Sequence, residues 1–382
     1  MRIGIIGAGV AGSLVAKNLA GAPGFAVDVF DRAPPGAQDG AGTGLNLGPN
    51  GLKALRLHDP GTHAALRAAS YEWRRWFVDL TDGTRLLDID LLDLAEETGA
   101  RLRWSELYAL LRAPVAGTIR WGHEFEALEQ DAAGRLVPVF RTGGGLARAD
   151  GYDLLIAGDG RFSRLRELVH GPIRATQLGV AIWRLLTDDR ECPFDDYGQW
   201  FHGSNRLLAY RVPGGHVYAC GVFPIDTPDI EPRHKTEDFQ RGLFGATLCP
   251  AASWILDRAF AASELHWARL QISPLARGSD DGKVLLLGDA AQAMVPTLGQ
   301  GATQAIEDGV LAATLLRKGK GIAEISALRT PRVEFVRDFS VEASDTLLPG
   351  ADPVAGTLAK NGPEFRAKLR RLYTDVPAPD AV

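Results

Sequence analysis

The chain is poor in cysteine. Cys192, Cys220 and Cys249 are the only three, widely spaced and without a CxxC pair. An odd, scattered set supplies no disulfide framework, and a reducing cytoplasm is the expected location. The eight histidines lack HxxxH and HExxH spacing, so no protein-bound metal is expected. Long apolar runs are missing: none reaches the roughly 18 residues of a membrane span. The short apolar stretch at the N-terminus is interrupted at once by glycines and is not read as a signal peptide. Charge of one sign is not in excess either. A formal net charge of −5 argues against nucleic acid or an anionic membrane as the main partner. There is no internal repeat and no low-complexity block.

What is present is globular in character, with 46% hydrophobic and 23% charged residues. At 382 residues the chain exceeds one ordinary core, so two domains or one elaborated domain is expected, as a monomer or homodimer. Residues 2–31 read as β-α-β. Arg2–Ile6 is a strand, Val10–Leu19 a helix, Pro23-Gly24 a turn and Ala26–Asp31 a second strand. Residues 34–51 are rich in Gly and Pro and are expected to be irregular. Ile119–Gln130, Leu136–Arg141 and Tyr152–Ala157 read as strands. The pattern then changes to aromatic-bearing strands at Val180–Leu186, Tyr197–His202, Leu207–Val212 and Val217–Phe223, the last two joined by a Pro213-Gly214-Gly215 hairpin. From Lys283 the α/β character returns, with a strand at Val284–Leu287, a helix after Gly301 and another from Pro331 to Leu347. In the tail from Leu348, a short basic helix around Phe365, Leu369 and Leu372 is read as a solvated face.

Two glycine motifs frame this organisation. Gly7-Ala8-Gly9-Val10-Ala11-Gly12 follows the first strand. Gly7 permits the tight turn, Gly9 lets backbone approach phosphate, and Gly12 lets helix and strand pack closely. The helix start offers unpaired N–H groups and a positive dipole end to an anion. Asp31 closes the second strand where an acid accepts from ribose hydroxyls, and Arg32 follows it. The context points to a dinucleotide without separating NAD from FAD. The second motif is Gly288-Asp289-Ala290-Ala291, then Pro296-Thr297-Leu298-Gly299-Gln300-Gly301 opening a helix. It exposes a carboxylate at a strand end and presents helix amides beside it, which suits the anionic ring of a reduced flavin. Between them lies Asp159-Gly160-Arg161-Phe162-Ser163-Arg164-Leu165-Arg166.

These motifs, in this order, resemble the single-component FAD-dependent aromatic hydroxylases, a family that includes para-hydroxybenzoate hydroxylase, salicylate hydroxylase and 6-hydroxynicotinate monooxygenase. Gly44-Leu45-Asn46-Leu47-Gly48-Pro49-Asn50 also looks like that family's loop beside the flavin. The resemblance implies an α/β (α+β overall) fold, with a Rossmann-like FAD-binding domain, an inserted, mostly antiparallel sheet domain for substrate, and C-terminal helices. The expected division is 1–70, 100–172 and 270–347 for FAD, 71–99 and 173–269 for substrate, and 348–382 as tail. Gly7, Gly9, Ala11, Gly12, Asp31, Arg32, Asn46, Asp159, Asp289, Pro296, Gly299, Gln300, Gly301 and Ala302 are the implied cofactor contacts, with Phe125 near the adenine. Asp159 and Arg166 lie in the segment tied to both FAD and NAD(P)H. Two positions depart from the family. Gln292 stands where His is usual and receives no proton-transfer role. Leu102-Arg103-Trp104-Ser105-Glu106-Leu107 puts Trp104 in the slot of a family Arg with Arg103 one residue early, leaving open which of the two meets the cofactor.

The implied chemistry is that NAD(P)H reduces FAD, O₂ adds to the ring, and the resulting hydroperoxide delivers one oxygen to an electron-rich aromatic carbon. The protein must shield that species and orient the substrate. Arg206, Leu208 and Tyr210 alternate onto one strand face. Arg206 is a candidate anion partner and Tyr210 a candidate for orienting or relaying a proton from the substrate hydroxyl. Pro296 and Thr297 join them from the flavin-side loop. Trp183 and Trp200 are candidate walls for a flat ring, Arg184 a second anion partner, and Asn46 a substrate contact from its loop. The substrate expected is a small hydroxybenzoate or hydroxypyridine carboxylate. Alternatives are a flavin monooxygenase or reductase that tailors a larger natural product, and a non-catalytic flavin-binding protein. A halogenase is disfavoured by the lack of a Trp-x-Trp-x-Ile-Pro segment.

Overall fold

The computed structural model describes residues 1–37, 42–344, 350 and 352–382. A five-stranded parallel sheet runs in the order Val284–Leu286, Leu154–Ala157, Arg2–Ile6, Ala26–Asp31, Ile119–Trp121. Its central strand is apolar on both faces, as a strand covered on both sides requires. The helix Val10–Leu19 lies against it and crosses the long helix Gln300–Arg317 closely. A Cβ on Gly309 would fall 2.8 Å from Leu14 Cβ and 2.9 Å from Ala11 O. Ala11 is therefore spent on helix packing and does not border a cleft.

A seven-stranded sheet stands beside this unit, in the order His266–Ile272, Thr176–Asp188, His216–Pro224, Asn205–Val212, Tyr197–His202, Arg75–Leu80, Arg85–Asp90. All its pairings are antiparallel except Tyr197–His202 with Arg75–Leu80. One face packs on the helix Pro250–Ala261 through Trp183, Trp200, Phe223 and Ile255. The other carries Tyr197, Tyr210, Tyr218 and Cys220, and toward its edge receives the helix Pro363–Thr374. That C-terminal helix buries Phe365, Leu369, Leu372 and Tyr373, while Arg366 and Lys368 pair at the surface with Asp93 and Glu342. No helix among the described residues is long and apolar enough to cross a membrane.

Three expectations about elements are corrected. Residues 34–51 are not wholly irregular: Gly44–Leu47 is a strand and Pro49–His58 a helix whose proline occupies the first turn, where its missing N–H costs nothing. Residues 38–41 of that stretch lie outside the described residues. Ile119–Gln130 is two strands, broken at Gly122 with φ +68°. The helix expected to begin at Pro331 runs from Ile322 to Glu342 with Pro331 inside it. Burial of Ile325, Arg329, Val333 and Val336 carries it past the lost hydrogen bond. The rest of its expected C-terminal end, 345–347, is outside the described residues.

Candidate active site

Two clefts border the two glycine motifs. The first, about 630 Å³, is lined by Gly7, Gly9, Asp31, Arg32, Phe125 and Asp159 among the expected residues. Gly7 adopts φ +97°, and a Cβ there would lie 2.5 Å from Gly158 O. Gly12 does not line the cleft. A Cβ on it would lie 2.1 Å from Gly7 O, so it acts by letting the helix seat on the turn. The helix begins at Gly9 with no side-chain cap, which leaves its first amides open. Asp31 accepts from Ala8 N and Ala33 N, both at 2.8 Å, which fixes its carboxylate at the cleft wall. Sequence reasoning missed Arg112. It donates to Ala8 O at 2.7 Å, sits 4.3 Å over the Tyr108 ring and lines the same cleft.

The second cleft, about 360 Å³, lies between the loop Pro296–Ala302 and the aromatic face of the seven-stranded sheet. Asn46, Trp104, Asp289, Pro296, Thr297, Gly299, Gly301 and Ala302 border it on one side, and Arg184, Arg206, Leu208 and Tyr210 on the other. The helix Gln300–Arg317 starts there from Gly299, at φ +64° and with no side-chain cap. Gln300 is the exception within the loop. Its side chain turns inward, where Oε1 accepts from Asn50 at 3.0 Å and Gln304 at 3.1 Å. Trp104 reaches this cleft, whereas Arg103 is tied to Glu106 at 3.0 Å and lines neither cleft. One segment borders both clefts: Asp159 and Gly160 line the first and Arg161 the second. Arg166 anchors that segment to the second glycine motif by donating to Ala291 O at 2.8 Å.

Trp183 and Trp200 are not walls of the cleft. Alternation along their strands places Arg184 and Gln199 on the cleft face, so the two indoles point the opposite way. Trp183 covers Gly221, where a Cβ would lie 2.3 Å from the indole, and its Nε1 donates to Gln240 Oε1 at 2.9 Å. Trp200 packs edge-on against Phe77 at 5.5 Å. The aromatic wall is built instead from Tyr197, Tyr210 and Tyr218, with ring centroids 5.5 and 4.9 Å apart. Burial raises the pKa of all three phenols, so they stay protonated donors. Gln199 and Cys220 complete this face, and burial pushes the Cys220 thiol up to about 11. The signal that could have found Tyr197, Gln199, Tyr218 and Cys220 is the same two-residue alternation that found Arg206 and Tyr210, applied to the neighbouring strands.

The carboxylates of the site are set apart electrostatically. Desolvation raises Asp159 to about 6 despite a hydrogen bond from Ser163, and its Oδ1 is buried with no partner among the described residues. Asp289 opens onto the second cleft, yet enough protein surrounds it to raise it to about 6 as well, against the pull of Arg161. Asn46 Nδ2 is likewise buried and unpartnered, against the Gly299 backbone. Orphaned polar atoms at two expected cofactor positions, Asn46 and Asp159, beside two uncapped helix starts, fit a long ligand with phosphate at one end and polar edges at the other. Gln292 is buried, with neither amide atom hydrogen-bonded among the described residues, and lines neither cleft.

Comparison with known proteins bears on the same residues. A family model described as an FAD binding domain matches residues 255–330. The chain is 30% identical over 367 residues to 3-amino-4-hydroxybenzoate 2-monooxygenase of Streptomyces cremeus, covering 87% of this chain and 84% of that protein. It is 29% identical over 338 residues to 6-hydroxynicotinate 3-monooxygenase of Pseudomonas fluorescens, covering 83% of each. Among solved structures, Klebsiella pneumoniae HpxO complexed with FAD and uric acid superposes with a TM-score of 0.83, at 22% identity over 99% of this chain and 97% of that one.

Proposed function

The chain belongs to the single-component FAD-dependent aromatic hydroxylases, and we propose that it uses NAD(P)H and O₂ to hydroxylate a small aromatic or N-heteroaromatic carboxylate of the hydroxybenzoate or hydroxypyridine type. When bound, FAD supplies the redox chemistry, taking a hydride and activating O₂. The glycine-turn amides and Asp31 hold the ADP half, Asp159 the middle, and Asp289 the ribityl hydroxyls. The uncapped amides at the start of Gln300–Arg317 would stabilise negative charge on the reduced ring.

The observation that carries the reading is the composition of the second cleft. Its sheet side presents Arg184, Arg206, three phenols and Gln199, and among the described residues its one carboxylate, Asp289, stands on the cofactor side. Such a surface attracts an anionic ring and holds it by charge-assisted hydrogen bonds. The volume of about 360 Å³ is near the small end of ligand pockets and must accept the flavin ring too. That favours a single-ring substrate over the larger products of a tailoring enzyme. In this geometry Arg184 and Arg206 hold the carboxylate, while Tyr210, Tyr218 and Pro296 confine the ring and exclude water.

The FAD-loaded protein is to be screened with hydroxybenzoates, aminohydroxybenzoates and hydroxynicotinates for stimulated NAD(P)H oxidation, O₂ uptake and a product heavier by one oxygen. At least one ring is expected to stimulate oxidation well above the ligand-free rate. Stimulation only by multi-ring compounds favours the tailoring alternative, and flavin binding without any turnover removes the hydroxylase reading.

A further inference from the structure

Tyr197 and Gln199 project from one strand into the second cleft. Arg206, on the adjacent strand, donates to Gln199 Oε1, and Gln199 Nε2 donates to Tyr197 Oη at 2.9 Å. The direction of this chain is forced. A guanidinium carries only donors, so the Gln199 atom facing it is the carbonyl oxygen. The other end of the amide is then an NH₂, which only donates, and Tyr197 Oη must accept. The Tyr197 proton therefore points elsewhere, and no acceptor for it occurs among the described residues. The ring cannot swing to find one. It is stacked on Tyr210 at 5.5 Å and packed against Trp73 at 4.9 Å.

We propose that Tyr197 is the fixed hydrogen-bond donor that recognises an oxygen substituent on the substrate ring, with Gln199 and Arg206 as positioning residues that set its polarity. This rests on the aromatic-acid reading above and deepens it. It assigns to Tyr197 the orienting role that alternation alone suggested for Tyr210. A donor locked in this sense selects rings with an acceptor opposite it and penalises the same ring without one, because the buried hydroxyl is then left unsatisfied.

The test uses the FAD-loaded protein and paired probes, 4-hydroxybenzoate against benzoate and 6-hydroxynicotinate against nicotinate, with dissociation constants read from perturbation of the flavin absorbance. The unmodified chain is expected to prefer the hydroxylated member of at least one pair, and Tyr197→Phe to lose about tenfold of that preference while binding the plain ring as before. Gln199→Glu keeps the size but offers two acceptors, so Tyr197 turns its proton inward and the preference falls as far. The new charge is controlled by the double variant. If Gln199→Glu acts through Tyr197, it changes the preference no further in the Tyr197→Phe background; an additive effect overturns the assignment. Should Gln199→Glu fail to retain FAD, Tyr197→Phe decides alone, and an unchanged preference overturns the proposal. Failure of every probe to perturb the flavin of the unmodified chain overturns the aromatic-acid reading and this inference with it. Perturbation by the probes with no difference within pairs overturns the inference only.

Discussion

Two pairs of carboxylates in the α/β unit, one enclosed and one at the clefts, are treated in opposite ways. Glu307 and Asp308 lie side by side on the helix Gln300–Arg317, fully enclosed. Burial alone would raise both, but the guanidinium groups of Arg332 and Arg329 hold Glu307 at about 2, and Arg277 and Arg329 hold Asp308 below the ordinary carboxylate range. Arg329 bridges the two acids at 2.6 and 2.7 Å. Asp159 and Asp289 are desolvated too, but among the described residues no cation bonds them directly, and both rise to about 6. The difference separates scaffold from site. Carboxylates paired inside the protein complete its structure, whereas those desolvated and left unpaired at a cleft await a ligand. The two pairs are physically joined: Asp308 Oδ2 accepts from Gly288 N at 2.8 Å, so the paired set holds the turn that presents Asp289.

The largest expected effect comes from breaking the paired set. Arg329→Met leaves two enclosed carboxylates short of a cation and is expected to cost about 3–5 kcal/mol. Thermal unfolding would show it, with FAD lost as a consequence. Asp159→Asn and Asp289→Asn sharpen the contrast, because each removes a desolvated charge. Without FAD these variants are expected to unfold at the same temperature as the parent or higher, yet to bind FAD about tenfold more weakly or worse through the lost charge-assisted hydrogen bonds. Flavin fluorescence on release measures that loss. A fall in stability matching Arg329→Met would erase the distinction.

A smaller effect is expected from pH. Asp159 and Asp289 have folded pKa values raised to about 6, so folding takes up protons. Their cost to the FAD-free protein is absent below an ordinary aspartate pKa, grows as pH rises, and is complete above about 6. Glu307 and Asp308 have the opposite sign and withdraw support only in strong acid. Between pH 5 and 8 the FAD-free protein is therefore expected to be more stable at the acid end, as denaturant titrations would show. FAD affinity is expected to fall as pH drops through 6. The smallest effect separates the sheet faces: Arg184→Met raises KM for an aromatic acid about tenfold, while Trp183→Phe, on the covered face, leaves KM unchanged and affects stability alone.

Legibility in the sequence followed contiguity. One wall of the nucleotide cleft comes from a strand, turn and helix within one short segment, so Gly7, Gly9 and Asp31 could be read directly, whereas Arg112 and Tyr108, which arrive from a later helix, were missed. The loop Pro296–Ala302 was equally readable, apart from the inward turn of Gln300. The sheet pocket is assembled across five strands. Its phase is invisible in Thr176–Asp188, because both faces of that strand's centre are buried and neither shows as polar. That is why Trp183 and Arg184 could not be sorted until Gly221 was seen beneath the indole. Asn205–Val212 carries Arg206 and Tyr210 on one face and, between them, Leu207 and Ala209 on the other, so its phase was readable.

The most direct test of the account is anaerobic reduction of the bound flavin by NAD(P)H, with and without a hydroxylated aromatic acid, followed by admission of O₂ and mass analysis of the acid. The expected result is reduction accelerated by the acid and one oxygen gained by the ring. A protein that purifies without flavin, or whose flavin is reduced and reoxidised with every aromatic acid returned unchanged, would contradict it.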